Sequence, residues 1–591
     1  MNSNGFIIKE YNFDSNGAAI VASEKYGSDW PVVYLIHNGN ELNKPDNKKE
    51  LYVGETSSAI NRMQQHLKNP ERSNLSTINI IFDSEFNKSA ILDIEQNLIQ
   101  LFAADKKFKL QNLNGGQSEK HNYYQREKYI NKIDDIWEIL HKKGLTNNNI
   151  EEIKNSNLFK YSPYNTLTSE QVEASRIALY DMMEKFRDGV DGTSIINGAA
   201  GTGKTIVLIN MIYKIALAQK KKVDFSLEEE DFTESQKLMH DLQEFLTEFR
   251  EKHNRDFKVA YVVPQTSLRK TISVVFKSFS NILSPKMVIG PYGVFKDEYD
   301  LVFVDEAHRL NHYKNNAERG HYKEKADLYG VNPNDITMLD FIVKNSKYRI
   351  LIYDENQTVK GSDITKEEFE KALENSYVSK FYLQTQMRCK GGSSYINYLD
   401  NIFNCIQKEK ITFDSDNEYD FKIFNNVNDM IEKIKSLDKK YGLCRNAAGY
   451  SWEWKSKGIN DYNEIIKQGK EDIEIDGYKY VWNIENKEFI LSENSVNEIG
   501  CIHTLQGYDL NYIGIIFSRE IDYDPKTNSI IIDLNKFYDV YVKQDNPKHV
   551  VDKYILNSYK VLMSRGIKGC YVYCYNDNLR KYLSKYIDKF D

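Results

Sequence analysis

An α/β chain of several domains, with parallel sheets covered by helices, is what this sequence predicts, and three observations carry that reading. First, 591 residues exceed what one hydrophobic core organises, so three or more domains are expected. Second, from residue 165 onward, near-continuous apolar runs alternate with helical segments: "TSIING", "VAYVVP", "LVFVDEAH", "RILIYDEN", "IGIIF" and "GCYVYCYN". Strands that are apolar on both faces belong to parallel sheets covered on both sides. Third, residues 30–115 carry shorter runs, "VVYLIH", "ELYVG" and "INIIF", among two helical segments, a compact α/β pattern of their own.

The bulk composition is that of a soluble globular protein, with 41% hydrophobic and 28% charged residues. The first residues lack the basic and apolar regions of a secretory signal, so none is expected. No run approaches the ~18 apolar residues of a membrane span, and no membrane partner is expected. The six cysteines, Cys389, Cys405, Cys444, Cys501, Cys570 and Cys574, are scattered without a Cys-x-x-Cys pair or clustered histidines. That pattern speaks against structural zinc and for a reducing, cytoplasmic setting. A net charge of -7 argues against a uniformly basic nucleic-acid coat. It leaves a local basic channel open, because binding follows the field at the groove and not the total.

Boundaries follow from shifts in pattern. Residues 1–29 read as an N-terminal extension and 30–118 as the first domain. Residues 119–164 are polar and read as a helical linker, with "NYYQREKYINKIDDIWEIL" amphipathic. Ser162-Pro163 favours extended backbone, and "NTLTSEQ" opens a new unit. The second domain is placed at 165–375 and the third at 376–591. Residues 225–257 read as a helical insertion, whose Leu238, Leu242, Phe245, Leu246 and Phe249 follow core spacing. The acidic run Glu228 to Asp231 reads as a solvated face. Residues 412–490 read as a second insertion.

The segment Gly198-Ala199-Ala200-Gly201-Thr202-Gly203-Lys204-Thr205 follows the apolar run "SIIN" and precedes the helix "IVLINMIYKIA". Strand, glycine-rich loop and helix together make a phosphate-binding loop. Glycines let backbone N–H groups close around phosphates at a positive helix N-terminus. Lys204 can then reach the β- and γ-phosphates, and the Thr205 hydroxyl can ligate Mg²⁺. The strand "LVFV" ends in Asp305-Glu306-Ala307-His308, where Asp305 can hold Mg²⁺ and Glu306 can deprotonate an attacking water. "RILIY" likewise ends in Asp354-Glu355-Asn356-Gln357. One acidic strand end is ordinarily a solvated loop; two beside a phosphate loop indicate a nucleotide site.

The order of these motifs resembles a superfamily 1 helicase core. Gln171 in "LTSEQ" matches the adenine-reading Q motif, "YVVPQTSLRKTI" is similar to motif Ia, and "DENQ" with Gln357 resembles motif III. Arg388 in "QTQMRC" resembles motif IV, "HTLQGYDL" motif V, and "SYKVLMSRGIKG" with Arg565 motif VI. The letters Asp-Glu-Ala-His also occur in superfamily 2, but "HTLQG" and "VLMSR" favour superfamily 1. Within it, residues 165–591 are similar to the bacterial Schlafen-like ATPase/helicase family. The resemblance implies two RecA-like domains with ATP between them and Arg388 and Arg565 reaching its γ-phosphate. Such arginine fingers are worth on the order of 10³-fold or more in rate. The alternative for Arg565 is a surface arginine beside a core strand. Motif III departs from the family's Gly-Asp pair, since this chain has Tyr353-Asp354.

Near the N-terminus, Tyr34 lies in "VVYLIH" and Tyr52 in "LYVGET", two apolar strands joined by a polar loop. Arg62 and His66, four apart on the next helix, project from one face. In "AILDIEQNLIQLF", residues 90–102, Ala90, Ile91, Leu92, Ile94, Leu98, Ile99, Leu101 and Phe102 form an apolar arc at about 100° per residue. Asp93, Gln96, Asn97 and Gln100 form the opposite polar arc, and Glu95 falls within the apolar one. A carboxylate there costs several kcal/mol unless it is paired, protonated or metal-bound. A buried pair with Arg62 and a metal site are both open on these grounds.

The ensemble over residues 30–118 resembles a GIY-YIG nuclease domain. "VVY" and "YVG" occupy the signature positions, "GETSSAINRMQQH" matches the glycine, threonine, arginine and histidine spacing, Glu95 falls at the metal-binding glutamate, and "LQNLNGG" supplies Asn112. Val32 replaces the first signature glycine, which removes no reacting group. The resemblance implies one divalent metal at Glu95, Mg²⁺ or Mn²⁺, and in-line hydrolysis of a phosphodiester. Tyr34 is implied as proton acceptor with His66 as relay, Arg62 as stabiliser of phosphoryl charge, and Tyr52 and Asn112 as residues shaping the site.

The combined expectation is a small GIY-YIG nuclease domain followed by two RecA-like parallel-sheet domains with helical insertions, using ATP and Mg²⁺ on nucleic acid, DNA ahead of RNA. Bacterial anti-phage defence suits such a fusion by analogy. A DNA-repair nuclease and an ATP-switched nucleic-acid sensor are the alternatives. A homo-oligomer or a defence-system partner protein is compatible with the sequence.

Overall fold

The computed structural model describes residues 5–39, 49–112, 123–198, 201–220, 233–313, 318–354, 363–383, 389–411, 419–484, 489–492, 494–505, 508–543 and 546–590. They form two compact units. One holds the described residues of Met1–Glu173, Ile209–Leu217 and Val223–His240, and the other holds the rest. No described helix is long and apolar enough to cross a membrane.

The first unit is built on a five-stranded sheet ordered Phe6–Asn12, Thr77–Asp83, Val32–His37, Glu50–Thr56, Lys109–Leu110. Val32–His37 lies at its centre with antiparallel neighbours on both sides, and all six of its residues are buried. Residues before 30, read from the sequence as an extension, supply the antiparallel edge strand Phe6–Asn12 and the helix Ser15–Ser23. The strand escaped notice because edge exposure leaves "FIIKEYN" with one fully buried side chain. Asp14 caps the helix, accepting the Gly17 N–H at 2.7 Å.

The helix Lys88–Asp105 is capped by Asn87 and buries Ile91, Ile94, Leu98, Ile99 and Phe102. Its polar arc is not solvated. Gln96 donates to the Tyr164 carbonyl at 2.9 Å, and the Gln100 amide meets the Asn165 side chain. The segment read as a linker packs on this helix, with Trp137 of the helix Arg126–Lys142 centred 4.9 Å from Phe102. Lys132 lies 2.5 Å from the fully buried Asp83 carboxylate, and the Asp105 carboxylate accepts the Asn147 N–H at 2.9 Å. Buried polar side chains with assigned partners are what convert a polar stretch into a docked one.

The second unit contains two six-stranded sheets. The first runs Tyr377–Leu383, Gly192–Gly198, Ser346–Tyr353, Tyr299–Val304, Val259–Val262, Val288–Ile289, with every pair parallel. It therefore extends past residue 375, the boundary read from the sequence, because the edge strand "YVSKFYL" is half exposed and broke the apolar pattern. The second runs Ile499–Gly500, Cys444–Ala448, Leu510–Phe517, Gly566–Cys574, Asp420–Phe424, Asp588–Lys589, again all parallel. Residues 420–448, assigned from sequence to an insertion, thus form two sheet strands and the helix Val427–Tyr441 between them. The strand "CRNAA" buries a polar pair that hid it. Arg445 is satisfied by Asp438 at 2.9 Å and by Ser495 and the Ile490 carbonyl at 3.0 Å.

Within the expected insertion 225–257, the helix Glu234–His253 buries Leu238, Leu242, Phe245, Leu246 and Phe249, as core spacing required. The acidic run Glu228 to Asp231 lies outside the described residues.

Candidate functional site

Parallel strands aim their carboxyl ends at one edge of a sheet, and ligands gather there. In the first six-stranded sheet, Gly192–Gly198, Ser346–Tyr353 and Tyr299–Val304 are adjacent, with Leu351 opposite both Ile195 and Val304. Gly198, Asp354 and Asp305 consequently leave that edge side by side. Gly201 and Gly203 hold φ of +88° and +75°, backbone that a side chain resists, so the loop needs glycine at both places. Ala199 and Ala200 lie outside the described residues.

The Lys204 ammonium, at the start of the helix Lys204–Lys220, rests on the Gly198 carbonyl and lies 3.5 Å from the Asp354 carboxylate. Both side chains are buried, so the aspartate that follows Tyr353, the residue departing from the Gly-Asp pair, is a neighbour of Lys204. The Asp305 carboxylate takes the Tyr261 hydroxyl at 2.8 Å, and the Thr205 hydroxyl faces it as well. Burial and the adjacent Glu306 charge push the Asp305 carboxyl up. Glu306 behaves oppositely. Burial alone would raise it, but His308, Arg309 and Lys204 hold it well below the usual carboxylate range. His308 Nε2 and Arg309 Nε approach its carboxylate at 3.0 and 3.1 Å. Glu306 also sits at φ +48°, a strained conformation for a residue with a side chain. Thr205 and Asp305 offer the oxygen donors that Mg²⁺ prefers.

Gln171 is buried, and its carbonyl accepts the Thr168 N–H at 2.9 Å while its own N–H donates to the Thr168 hydroxyl at 3.3 Å. That reciprocal pair is a capping box at the start of the helix Ser169–Asp188, which by itself accounts for a glutamine here. Arg565 is 3% exposed, so it is no surface arginine; it lies between the helix Lys548–Met563 and the strand Gly566–Cys574. Gln357, Arg388 and the Gln506-Gly507 pair of "HTLQG" lie outside the described residues.

In the N-terminal unit the hairpin register sets Tyr34 opposite Gly54 and Ile36 opposite Tyr52. The Tyr34 ring lies across Gly54: a Cβ there would come within 2.3 Å of the phenol oxygen. The helix Ala59–Leu67 brings Arg62 and His66 to the same phenol, His66 Nε2 at 2.8 Å and Arg62 Nε donating at 3.3 Å. The Tyr52 ring meets His66 edge-on with centroids 5.0 Å apart. Asn112 holds the strand bearing Tyr52, accepting the Val53 N–H at 3.0 Å and donating to the Val53 carbonyl at 2.8 Å. Thr56 serves the turn into the helix, its hydroxyl accepting the Ser58 N–H at 3.0 Å. Burial, Arg62 and Arg72 together push His66 down to about 4, which favours a neutral imidazole in the hydrogen bond with the Tyr34 hydroxyl. Burial raises the Tyr34 hydroxyl, as does Tyr52, with Arg62 opposing.

Glu95, half-buried on the helix Lys88–Asp105, has its carboxyl pushed up to about 7 by burial and by the charge of Glu55, with Lys88 and Arg62 opposing. The buried pair with Arg62 is not formed, since Arg62 engages Tyr34 and, at 3.0 Å, Gln65. Among the described residues no cation lies within ion-pair distance of Glu95. A carboxyl raised by a second carboxylate is one that a divalent cation would satisfy. Sequence reasoning passed over two neighbours. Glu55, next to the signature glycine, pairs with Lys88 at 2.5 Å. Arg72 lies with its guanidinium 3.9 Å above the Tyr52 ring, and no spacing signal marked it.

Three comparisons bear on the chain. The family model for the Schlafen group 3 DNA/RNA helicase domain matches residues 192–576. The uncharacterized protein YPL245W of Saccharomyces cerevisiae (strain ATCC 204508 / S288c) is 27% identical over 418 residues, which span 66% of this chain and 83% of the yeast protein. Among solved structures, the helicase nonstructural protein 10 of an arterivirus aligns over 68% of this chain and 63% of its own, with 9% identity and a TM-score of 0.27. The match thus spans less than two thirds of that viral chain. Bacteroides Pif1 bound to ssDNA aligns over 68% of this chain and 92% of its own, with 12% identity and a TM-score of 0.23. Neither structural likeness is close enough to carry an argument. With the family model covering well over half of its length, the chain belongs to the Schlafen group 3 DNA/RNA helicase domain family.

Proposed function

We propose that the N-terminal domain is a metal-dependent endonuclease of the GIY-YIG type, fed or gated by a superfamily 1-type ATPase that engages nucleic acid. The observation that carries the nuclease reading is the convergence of buried Tyr34 and His66 and half-buried Arg62 on one phenol oxygen. The same site holds Glu95, which has no cation at ion-pair distance among the described residues and whose carboxyl is raised by burial and by Glu55.

In this reading Tyr34 accepts a proton from the attacking water while passing its own to His66 Nε2, along the 2.8 Å hydrogen bond already in place. Arg62 stabilises charge on the phosphoryl oxygens. Arrival of a phosphate offsets the positive charge of Arg62 and Arg72, which raises the basicity of His66 when substrate is bound. Tyr52 and Asn112 shape the site. Glu95 would hold Mg²⁺ or Mn²⁺, which when bound would supply Lewis-acid stabilisation of developing negative charge. In the ATPase, Lys204 and the loop glycines Gly198, Gly201 and Gly203 cradle phosphates, Thr205 and Asp305 hold Mg²⁺, and Glu306 activates water. Gln171 and Gln357 are assigned to nucleotide sensing, and Arg388 and Arg565 to the γ-phosphate. DNA is the favoured polymer, and anti-phage defence the favoured setting.

The test is to incubate purified protein with labelled DNA and RNA, with and without ATP and Mg²⁺ or Mn²⁺. Metal-dependent cleavage that Tyr34→Phe removes supports the reading. Wild-type protein that hydrolyses ATP but cuts no substrate under any of these conditions sinks it.

A further inference from the structure

Arg72 closes the 3₁₀ turn Pro70–Arg72 and is 8% exposed. Its guanidinium lies over the Tyr52 ring at 3.9 Å, and one Nη donates to the Gln111 side-chain carbonyl. Gln111 in turn donates to Glu50 at 3.0 Å and to the Glu71 carbonyl at 3.2 Å, which fixes its amide. A buried arginine is ordinarily matched by a carboxylate. Among the described residues no carboxylate comes within ion-pair distance of Arg72. Its own contacts are a ring face and a neutral amide, so its positive charge lies directly against Tyr52, whose ring is edge-on to His66 at 5.0 Å.

We propose that Arg72 is a second arginine of the N-terminal site, a positioning residue that clamps Tyr52 against His66 and brings a second positive charge to the place where an anion would arrive. The inference rests on the nuclease reading. The groups facing His66 are Tyr34 and Tyr52 from the two hairpin strands, Arg62 from its own helix and Arg72 from the following turn. None is an acid that would hold the imidazole protonated. Both cations push its proton off, and Arg72 does so without touching it. The planar guanidinium has a further task that lysine cannot perform, since only the flat group stacks on a ring while holding a hydrogen bond at its edge.

The test uses Arg72→Met, which removes the charge, and Arg72→Lys, which keeps charge and loses the planar stack, each in the full chain. Two readouts are taken: the midpoint of His66 from histidine C2 hydrogen–deuterium exchange by mass spectrometry, and the pH profile of metal-dependent cleavage. Arg72→Met is expected to raise the His66 midpoint by about one unit and to move the acid limb of kcat/KM upward with it. Arg72→Lys is expected to leave the midpoint near wild type and lower kcat severalfold, with KM little changed. An unmoved His66 midpoint in folded Arg72→Met overturns the proposal whether or not the protein cuts. A raised midpoint with an unmoved cleavage profile also overturns it. A wild type that cuts nothing, with the midpoint raised as expected, fails the nuclease reading alone.

Discussion

The Tyr34 phenol oxygen and His66 Nε2 lie 2.8 Å apart, and both residues are buried. Removing the hydroxyl leaves the imidazole nitrogen without its partner, which costs about 1–3 kcal/mol of stability. It also removes the group proposed to take the water proton. Tyr34→Phe is therefore expected to fold with a modestly lowered melting temperature and to lose about 10²-fold or more in cleavage. Retention of near wild-type cleavage in the folded variant would place the proton acceptor elsewhere.

The two titrating groups of this site have opposite pH signatures. His66, held down at about 4, binds fewer protons folded than unfolded between that value and its ordinary 6.5. Its contribution to stability is therefore present above 6.5 and lost as pH falls toward 4. Glu95, raised from 4.5 to about 7, binds more protons folded than unfolded in that window, so its contribution falls as pH rises. A metal needs the ionised carboxylate. Apparent Mn²⁺ affinity at the proposed nuclease site is expected to weaken about tenfold for each unit below 7 and to level off above it. Calorimetric titration of Lys204→Ala protein with Mn²⁺ measures this, and a flat affinity between pH 5.5 and 7.5 refutes it.

Glu95→Gln keeps the side-chain volume and removes the ionisable oxygen. It is expected to abolish cleavage and leave ATP hydrolysis near wild type, because the metal chemistry is assigned to the N-terminal domain alone. Cleavage at an undiminished rate in a folded Glu95→Gln protein would end that assignment.

The nucleotide site separates two roles. Lys204 contacts the Gly198 carbonyl and the Asp354 carboxylate, while Glu306 is held ionised by His308 and Arg309. Lys204→Ala is expected to weaken ATP binding. Glu306→Gln is expected to bind ATP but to turn it over about 10²-fold more slowly or worse. Nucleotide affinity and turnover measured on both variants decide the matter. Full turnover by Glu306→Gln would mean that another group activates the water.

What the sequence made legible follows from how each element is buried. Strands covered on both faces, such as "LVFVDEAH", announced themselves, and the residues at their ends met where strand ends meet. Arg62 and His66 converged on Tyr34 because helical spacing fixes one face. Edge strands were hidden, since Phe6–Asn12 and Tyr377–Leu383 each fully bury a single side chain. So was "CRNAA", whose Arg445 is buried only because Asp438, Ser495 and a carbonyl satisfy it. Pairings of that kind depend on residues distant in the chain, and no local pattern encodes them. Arg72 escaped for the same reason: its ring partner Tyr52 is brought to it by the fold.

The remaining prediction concerns coupling between the two proposed activities. A weakly specific nuclease endangers its own cell, and direct readout by so small a domain contributes only ~1–3 kcal/mol per base contact. An ATPase whose closure depends on nucleotide can add discrimination. A physical connection exists within the N-terminal unit. Gln96, adjacent to Glu95, donates to the Tyr164 carbonyl at 2.9 Å. The Tyr164 ring meets Tyr213 edge-on at 5.7 Å, and Asn210 donates to the Pro163 carbonyl at 3.4 Å. Tyr213 and Asn210 stand on the helix Lys204–Lys220, whose first residue is the phosphate-loop lysine. Contact alone does not demonstrate coupling; a response at one end to the state of the other does. Cleavage of the preferred substrate is expected to change at least severalfold between no nucleotide, ATP and a non-hydrolysable analogue. Arg565→Ala is expected to disturb that response from the ATPase side, and Tyr213→Ala to blunt it while leaving the nucleotide-free rate near wild type. Equal rates in every nucleotide state, on several DNA and RNA substrates, would mean that the two activities merely share a chain.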